Sequence, residues 1–169
     1  PPTGALSRVQ GSQDLRVFVS YTLKRDLGTP FGDAPLPGGT VSVVQVGTDG
    51  VATLIGRTTK GHLAPGSPLE IELGHAFDVS AKRVQTAYQV DGRNDRGEPT
   101  AATLAYRITL RSAADTAVTV TTYETRDGEW SVLESSHPAE RQSSGSVAFA
   151  VTVPARGEAV LTYRVRATW

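Results

Sequence analysis

The chain contains no cysteine and no methionine. The first absence excludes disulfides, thiolate zinc sites and cysteine nucleophiles. The lack of both easily oxidised sulfur residues suits an oxidising compartment. There is no excess of either charge, because 17 Lys and Arg balance 17 Asp and Glu. Nucleic-acid binders need a basic excess or a dense basic face, and polybasic membrane-surface binders need the same. Both classes are therefore set aside, and no nucleic-acid partner is expected. No apolar run is long enough for a spanning helix, and no signal peptide is visible, so no transmembrane segment is expected. The start at Pro1-Pro2 reads as a processed form or a fragment of something longer. A Gly-x-Ser-x-Gly elbow is missing, which leaves serine hydrolase chemistry without support. No phosphate-cradling glycine loop precedes a helix.

What the chain does have is alternation. Leu15, Val17, Val19, Tyr21 and Leu23 share one parity, which predicts a half-buried strand over residues 14–23. Residues 24–39 hold Pro30, Pro35 and Pro37 among glycines and read as a long loop. Residues 40–46 and 51–56 flank Gly47-Thr48-Asp49-Gly50 and read as a hairpin. A second Gly/Pro loop over 58–68 carries His62. A short strand over 69–73 follows, with Glu70 and Glu72 on its outer face.

The second half is more regular. A long strand is expected over 79–90, interrupted near Ser80-Ala81, and a polar loop over 91–100. In the cleanest strand, 101–111, Leu104, Tyr106, Ile108 and Leu110 oppose Arg107, Thr109 and Arg111. Further strands are expected at 117–125, 130–134, 147–153 and 159–169, with a loop over 135–145. Short strands, frequent turns and no amphipathic helix make this an all-β chain. The expected architecture is an antiparallel β-sandwich. The organisation expected is a loose lead-in over 1–13, a loop-rich β unit over 14–84, and a self-sufficient β-sandwich over 85–169 of immunoglobulin-like size.

Several stretches together resemble a bacterial family. They are residues 35–41 (Pro-Leu-Pro-Gly-Gly-Thr-Val), Asp49-Gly50, Leu54-Ile55-Gly56, His62 and the run 73–86. Tyr106-Arg107-Ile108-Thr109-Leu110, Glu134-Ser135-Ser136-His137-Pro138 and the Tyr163-Arg164-Val165-Arg166 end continue the match. The family is the C-terminal β domain, of unknown function, of mucoidy-inhibitor-like proteins. The resemblance covers about residues 15–169. It departs at Leu63-Ala64-Pro65, where the family has Thr-Pro, and at Ala87-Tyr88, where it has an acidic residue and an aromatic. It implies a place in the bacterial cell envelope, in the periplasm or at the cell surface. It implies no catalytic residues.

Two functional expectations follow. The first is a non-catalytic accessory or docking module of an envelope complex, with an envelope protein or a second copy of the chain as partner. Arg107, Arg111, Arg164 and Arg166 point outward on two long strands. If those strands are neighbours, they form a basic stripe suited to an acidic protein or glycan. The second expectation is a copper-dependent enzyme of the superoxide dismutase type. His62, His75 and His137 would hold the copper, since imidazole suits that metal and zinc alike. The strand between His62 and His75 spans about 20 Å with its approaches, so a shared site requires the 61–67 loop to fold back. Their other reading is as turn histidines that bond backbone groups. A third reading, glycan binding, rests on Trp130 and Tyr88. Residues 91–98 offer oxygen atoms but lack EF-hand spacing, and turn chemistry accounts for them. The aromatic end at Trp169 resembles an outer-membrane barrel strand, but the Arg and Thr faces argue against a lipid-facing barrel.

Overall fold

The computed structural model describes residues 11–47 and 50–168, leaving out the side chain of Gln45. Most of the 1–13 lead-in, the tip of the 47–50 turn and Trp169 lie outside the described residues. Among the described residues the order is β1 (Ser12–Leu15), β2 (Phe18–Leu23), α1 (Pro30–Asp33), β3 (Gly39–Val46), β4 (Ala52–Lys60), β5 (Leu69–His75) and β6 (Val79–Arg93). Then come β7 (Pro99–Ser112), β8 (Val118–Thr125), β9 (Glu129–Ser135), β10 (Ala139–Ser143), β11 (Ser146–Val153) and β12 (Glu158–Thr168). Every pairing is antiparallel. No helix among the described residues is long and apolar enough to cross a membrane.

The chain forms two compact units, one nested in the other along the sequence. Val17–Ala76 is one; residues 11–16 and 77–168 form the other. This differs from a seam at 84/85, since Val84 and Gln85 lie within the single strand β6. The expected strand over 14–23 is likewise two strands, parted at Arg16 and Val17. Leu15 pairs with Ala81 in the outer unit, whereas Phe18 pairs with His75 in the nested one. Alternation continued across the break because extended backbone keeps its parity even where pairing stops.

The outer unit holds a five-stranded sheet, β1-β6-β7-β12-β9, and a three-stranded sheet, β10-β11-β8. The alternation of β7, β11 and β12 is borne out in burial. Leu104, Leu110, Phe149, Val151, Val153, Leu161 and Val165 are all fully withdrawn from water. Burying one such side chain contributes about 1.5–3 kcal/mol. Phe149 of β11 stacks on Tyr163 of β12 with ring centroids 5.0 Å apart, and Tyr163 stacks on Tyr106 at 5.4 Å. Strand β10 stands where a loop was expected over 135–145. Its five residues are all exposed, so no hydrophobic period announced it.

The nested unit has two two-stranded sheets, β2-β5 and β3-β4. The hairpin forms as expected but runs on to Lys60. Gly56 lets β4 approach β5, because a Cβ there would collide with the Leu73 side chain. The expected loop over 24–39 contains α1. Thr29 caps it, its Oγ1 accepting from Gly32 N at 3.0 Å, and Pro30 sits in the first turn. Proline there sacrifices no helix hydrogen bond.

Candidate functional site

Each of the three histidines has a local partner. His62 Nδ1 accepts from Gly38 N at 3.2 Å, joining the loop after β4 to the segment before β3. Next to it Leu36 and Leu63 exchange backbone hydrogen bonds of 3.0 and 2.9 Å. The imidazole of His75, at the end of β5, lies 4.5 Å from the Phe18 ring. His137 Nδ1 meets Ser136 Oγ at 2.9 Å. Among the described residues, no group of three or more His, Cys, Asp or Glu side chains is placed to hold a metal ion.

The arginines behave differently. β7 and β12 are neighbours, with Arg107 opposite Thr162 and Arg164 opposite Ala105, so the four basic residues do share strands of one sheet. Carboxylates are interleaved with three of them. Arg111 Nε donates to Glu158 at 2.7 Å, Arg164 Nη1 to Glu134 at 3.1 Å, and Arg166 Nε lies 3.8 Å from Asp91. Such exposed pairs are worth about 0–1 kcal/mol and exchange readily. The stripe is therefore a chequered face rather than a basic one. Trp130 is buried on β9, and Tyr88 is half-buried on β6, so neither is the loop aromatic that a glycan site would use. In residues 91–98, Asn94 Oδ1 accepts from the amides of Arg96 and Glu98 at 3.0 Å each, which is turn chemistry.

Two arrangements were not anticipated. The first is a charged cluster inside the outer unit. Glu124 of β8 is 4% exposed. Both its oxygens lie close to Arg83 Nη2 of β6, at 3.0 and 2.9 Å. Arg126 Nη2 lies 2.8 Å from Oε1, and Tyr163 OH donates to Oε2 at 2.7 Å. Arg126 Nη2 also donates to Tyr106 OH at 2.9 Å, and Gln85 Nε2 reaches the same oxygen at 3.4 Å. The Arg83 guanidinium lies 3.9 Å from the Tyr106 ring centroid, a cation–π contact. Burial works to lower the Arg83 pKa, but the Glu124 carboxylate, with Tyr163 and Tyr106, outweighs it and holds the pKa above its ordinary range. Burial, reinforced by Glu124, pushes the Tyr163 phenol far above the tyrosine range. The cluster joins β6, β7, β8 and β12 as a fixed polar core.

A signal for it lies in the strand parities. In β8 Val118, Val120 and Thr122 point inward, and Glu124 continues that parity. Arg83 shares the parity of buried Ala81. A carboxylate and a guanidinium on inward parities of two strands of one unit imply each other.

The second arrangement is apolar and belongs to the nested unit. Among the described residues, nine of the thirteen exposed large hydrophobic residues lie there: Phe18, Tyr21, Leu23, Leu27, Phe31, Val44, Val46, Val51 and Leu54. Of the nineteen buried hydrophobic ones among the described residues, two do, Leu69 and Ile71. On the hairpin, Val44 sits opposite Leu54 and Val46 opposite Ala52, which puts all four on one face. Val44, Val46 and Leu54 are 50, 66 and 52% exposed, and Val51, at the turn, is 58% exposed.

No protein-family model matches the chain, and no match was found among curated proteins or solved structures.

Proposed function

We propose that this chain is a non-catalytic docking module of a bacterial cell-envelope complex: an antiparallel β-sandwich, immunoglobulin-like in its second half, that presents a contact unit nested between two of its strands. The stacking of Phe149 on Tyr163 supports the sandwich reading, because it places a side chain of each outer-unit sheet against the other. The envelope assignment rests on the resemblance of residues 15–169 to the mucoidy-inhibitor-like domain. One observation carries the docking reading. The hairpin turns Val44, Val46 and Leu54 to solvent on one face while, among the described residues, its own unit buries two hydrophobic side chains. Contiguous exposed apolar surface of this kind marks a protein contact.

The test is site-specific photocrosslinking from position 46 in cells that make the full-length protein. A single discrete adduct is expected, lost when Val44→Asp and Leu54→Asp are introduced together. No adduct, or one indifferent to those changes, would end the docking reading.

A further inference from the structure

An open strand edge displays unpaired N–H and C=O groups, a template for another strand. Proteins that stay apart guard such edges with outward charges, bulges or short strands. The edges here can be compared one by one. β1 is four residues long and carries Asp14. β9 has Glu129 and Glu134, and its ladder with β12 slips at Arg164/Val165. β10 has Glu140 and Arg141, and its ladder slips at Arg141/Ser143. In the nested unit the β2-β5 ladder slips at Val19/Ser20 and the β3-β4 ladder at Val43/Val44.

β8 has neither device. Among the described residues it is the open edge of the β10-β11-β8 sheet, and it pairs β11 through eight residues with no shift of register. Its outward side chains are Thr119, Thr121, Tyr123 and Thr125, all exposed and uncharged. Its one charged residue, Glu124, is turned inward and consumed by Arg83 and Arg126. Val, Thr and Tyr fill the strand, residues that favour a pleated neighbour.

From this we infer that β8 pairs, antiparallel, with β8 of a second copy of this chain, joining two three-stranded sheets into one of six. The occupant is chosen by the side chains. In an antiparallel pair related by a two-fold axis, residues of the same parity face each other, so the outward row meets only itself. Thr against Thr and Thr against Tyr are favourable cross-strand pairs, and no like charges meet on that face in any register. A strand from a partner of different sequence would find no charge on β8 to recognise or to fix its register. The pairing uses the outer unit, so it stands or falls separately from docking through the hairpin.

Sedimentation equilibrium of the intact chain, with hydrogen exchange at low and high protein concentration, tests the inference. The expected mass is twice the 17.9 kDa of the single chain. Amides of β8 should exchange more slowly in the concentrated sample, while those of β10, the opposite edge, stay unchanged. Thr121→Lys brings two ammonium groups together near the axis and should weaken the dimer by about tenfold or more. Thr152→Lys, on the same sheet face but on the central strand β11, should leave it intact. A monomer at every concentration, a dimer indifferent to Thr121→Lys, or β8 exchange that ignores concentration would each overturn the inference.

Discussion

Arg126 of the outer unit and Arg25 of the nested unit are equally withdrawn from water, at 6 and 3% exposure, but they are held in opposite ways. Arg126 meets a carboxylate, which itself meets a second arginine and a phenol. Arg25 meets backbone carbonyls. Its Nε donates to Phe31 O at 3.1 Å, its Nη1 to Ala64 O at 3.0 Å and Ser67 O at 3.3 Å, and its Nη2 to Ala34 O. The difference follows from what surrounds each. Regular strands consume their own carbonyls, so a charge between sheets must be answered by another charge. Loops leave carbonyls over, and one planar guanidinium gathers four of them from two loops. The first unit is thus fixed by a dry core around a charge cluster. The second has little core and is tied together by one cation.

Removing the carboxylate tests the first half of that contrast most severely. Glu124→Gln leaves Arg83 and Arg126 facing each other without a buried anion, and breaking such a cluster costs about 3–5 kcal/mol. Guanidinium unfolding followed by the fluorescence of Trp130, which lies in the outer unit, should show a midpoint lowered to match. Hydrogen exchange within residues 17–76 should stay as in the unaltered chain if the units fold separately. A loss under 1 kcal/mol would mean that the cluster adds little beyond the aromatic packing around it.

Arg25→Lys tests the second half. Lysine keeps the charge but offers a point donor where a fork is needed, so most of the four carbonyls lose their partner. Hydrogen bonds to a charged donor contribute about 1.5–3 kcal/mol each, and the expected loss is about 2–3 kcal/mol, since water and the ammonium recover part of it. Protection should fall in residues 24–39 and 58–68 while Trp130 reports no change. Unaltered protection in both loops would show that α1 and the Leu36–Leu63 bridge hold them without Arg25.

Legibility in the sequence divides along the same line. In β7, β11 and β12 the period of two predicted which side chains are buried, because each strand has one dry face and one wet face. In the nested unit few faces are dry. There the period of two ran across the break at Arg16-Val17 and hid it. Thr29-Pro30, which caps and opens α1, looked like one more strand breaker, since proline has the same composition signal in both roles. A lone arginine at position 25 in a Gly/Pro-rich stretch has no parity to betray its burial. Arg83 and Glu124 do have one, but a charge within a strand alternates like any outward polar residue unless the partner strand that answers it is known. The open edge of β8 depends on strand order, which no local pattern contains.

Tyr163 sharpens the contrast in proton terms. Its folded pKa is raised, so the folded state holds the phenolic proton above the ordinary value of 10.0, where the unfolded chain releases it. The stabilisation is complete below that pH and is lost as pH rises, by about 1.4 kcal/mol per unit. Stability of the outer unit, followed by Trp130, should therefore fall between pH 10 and 11, and Tyr163→Phe should flatten that slope. Equal slopes in the two proteins would place the alkaline sensitivity elsewhere.

The smallest expected effect concerns the surface with the largest proposed role. Val44 and Leu54 are half-exposed on a hairpin whose unit already lacks a deep core, so Val44→Asp with Leu54→Asp removes little buried area. Exposed substitutions away from caps and cores generally change stability by less than about 0.5 kcal/mol each. The thermal midpoint should accordingly move by no more than a few degrees, while crosslinking from position 46 disappears. A large loss of stability instead would mean that these side chains belong to the folding of the nested unit and not to its contacts. That outcome would erase the difference between the two units, because both would then be held by their apolar faces.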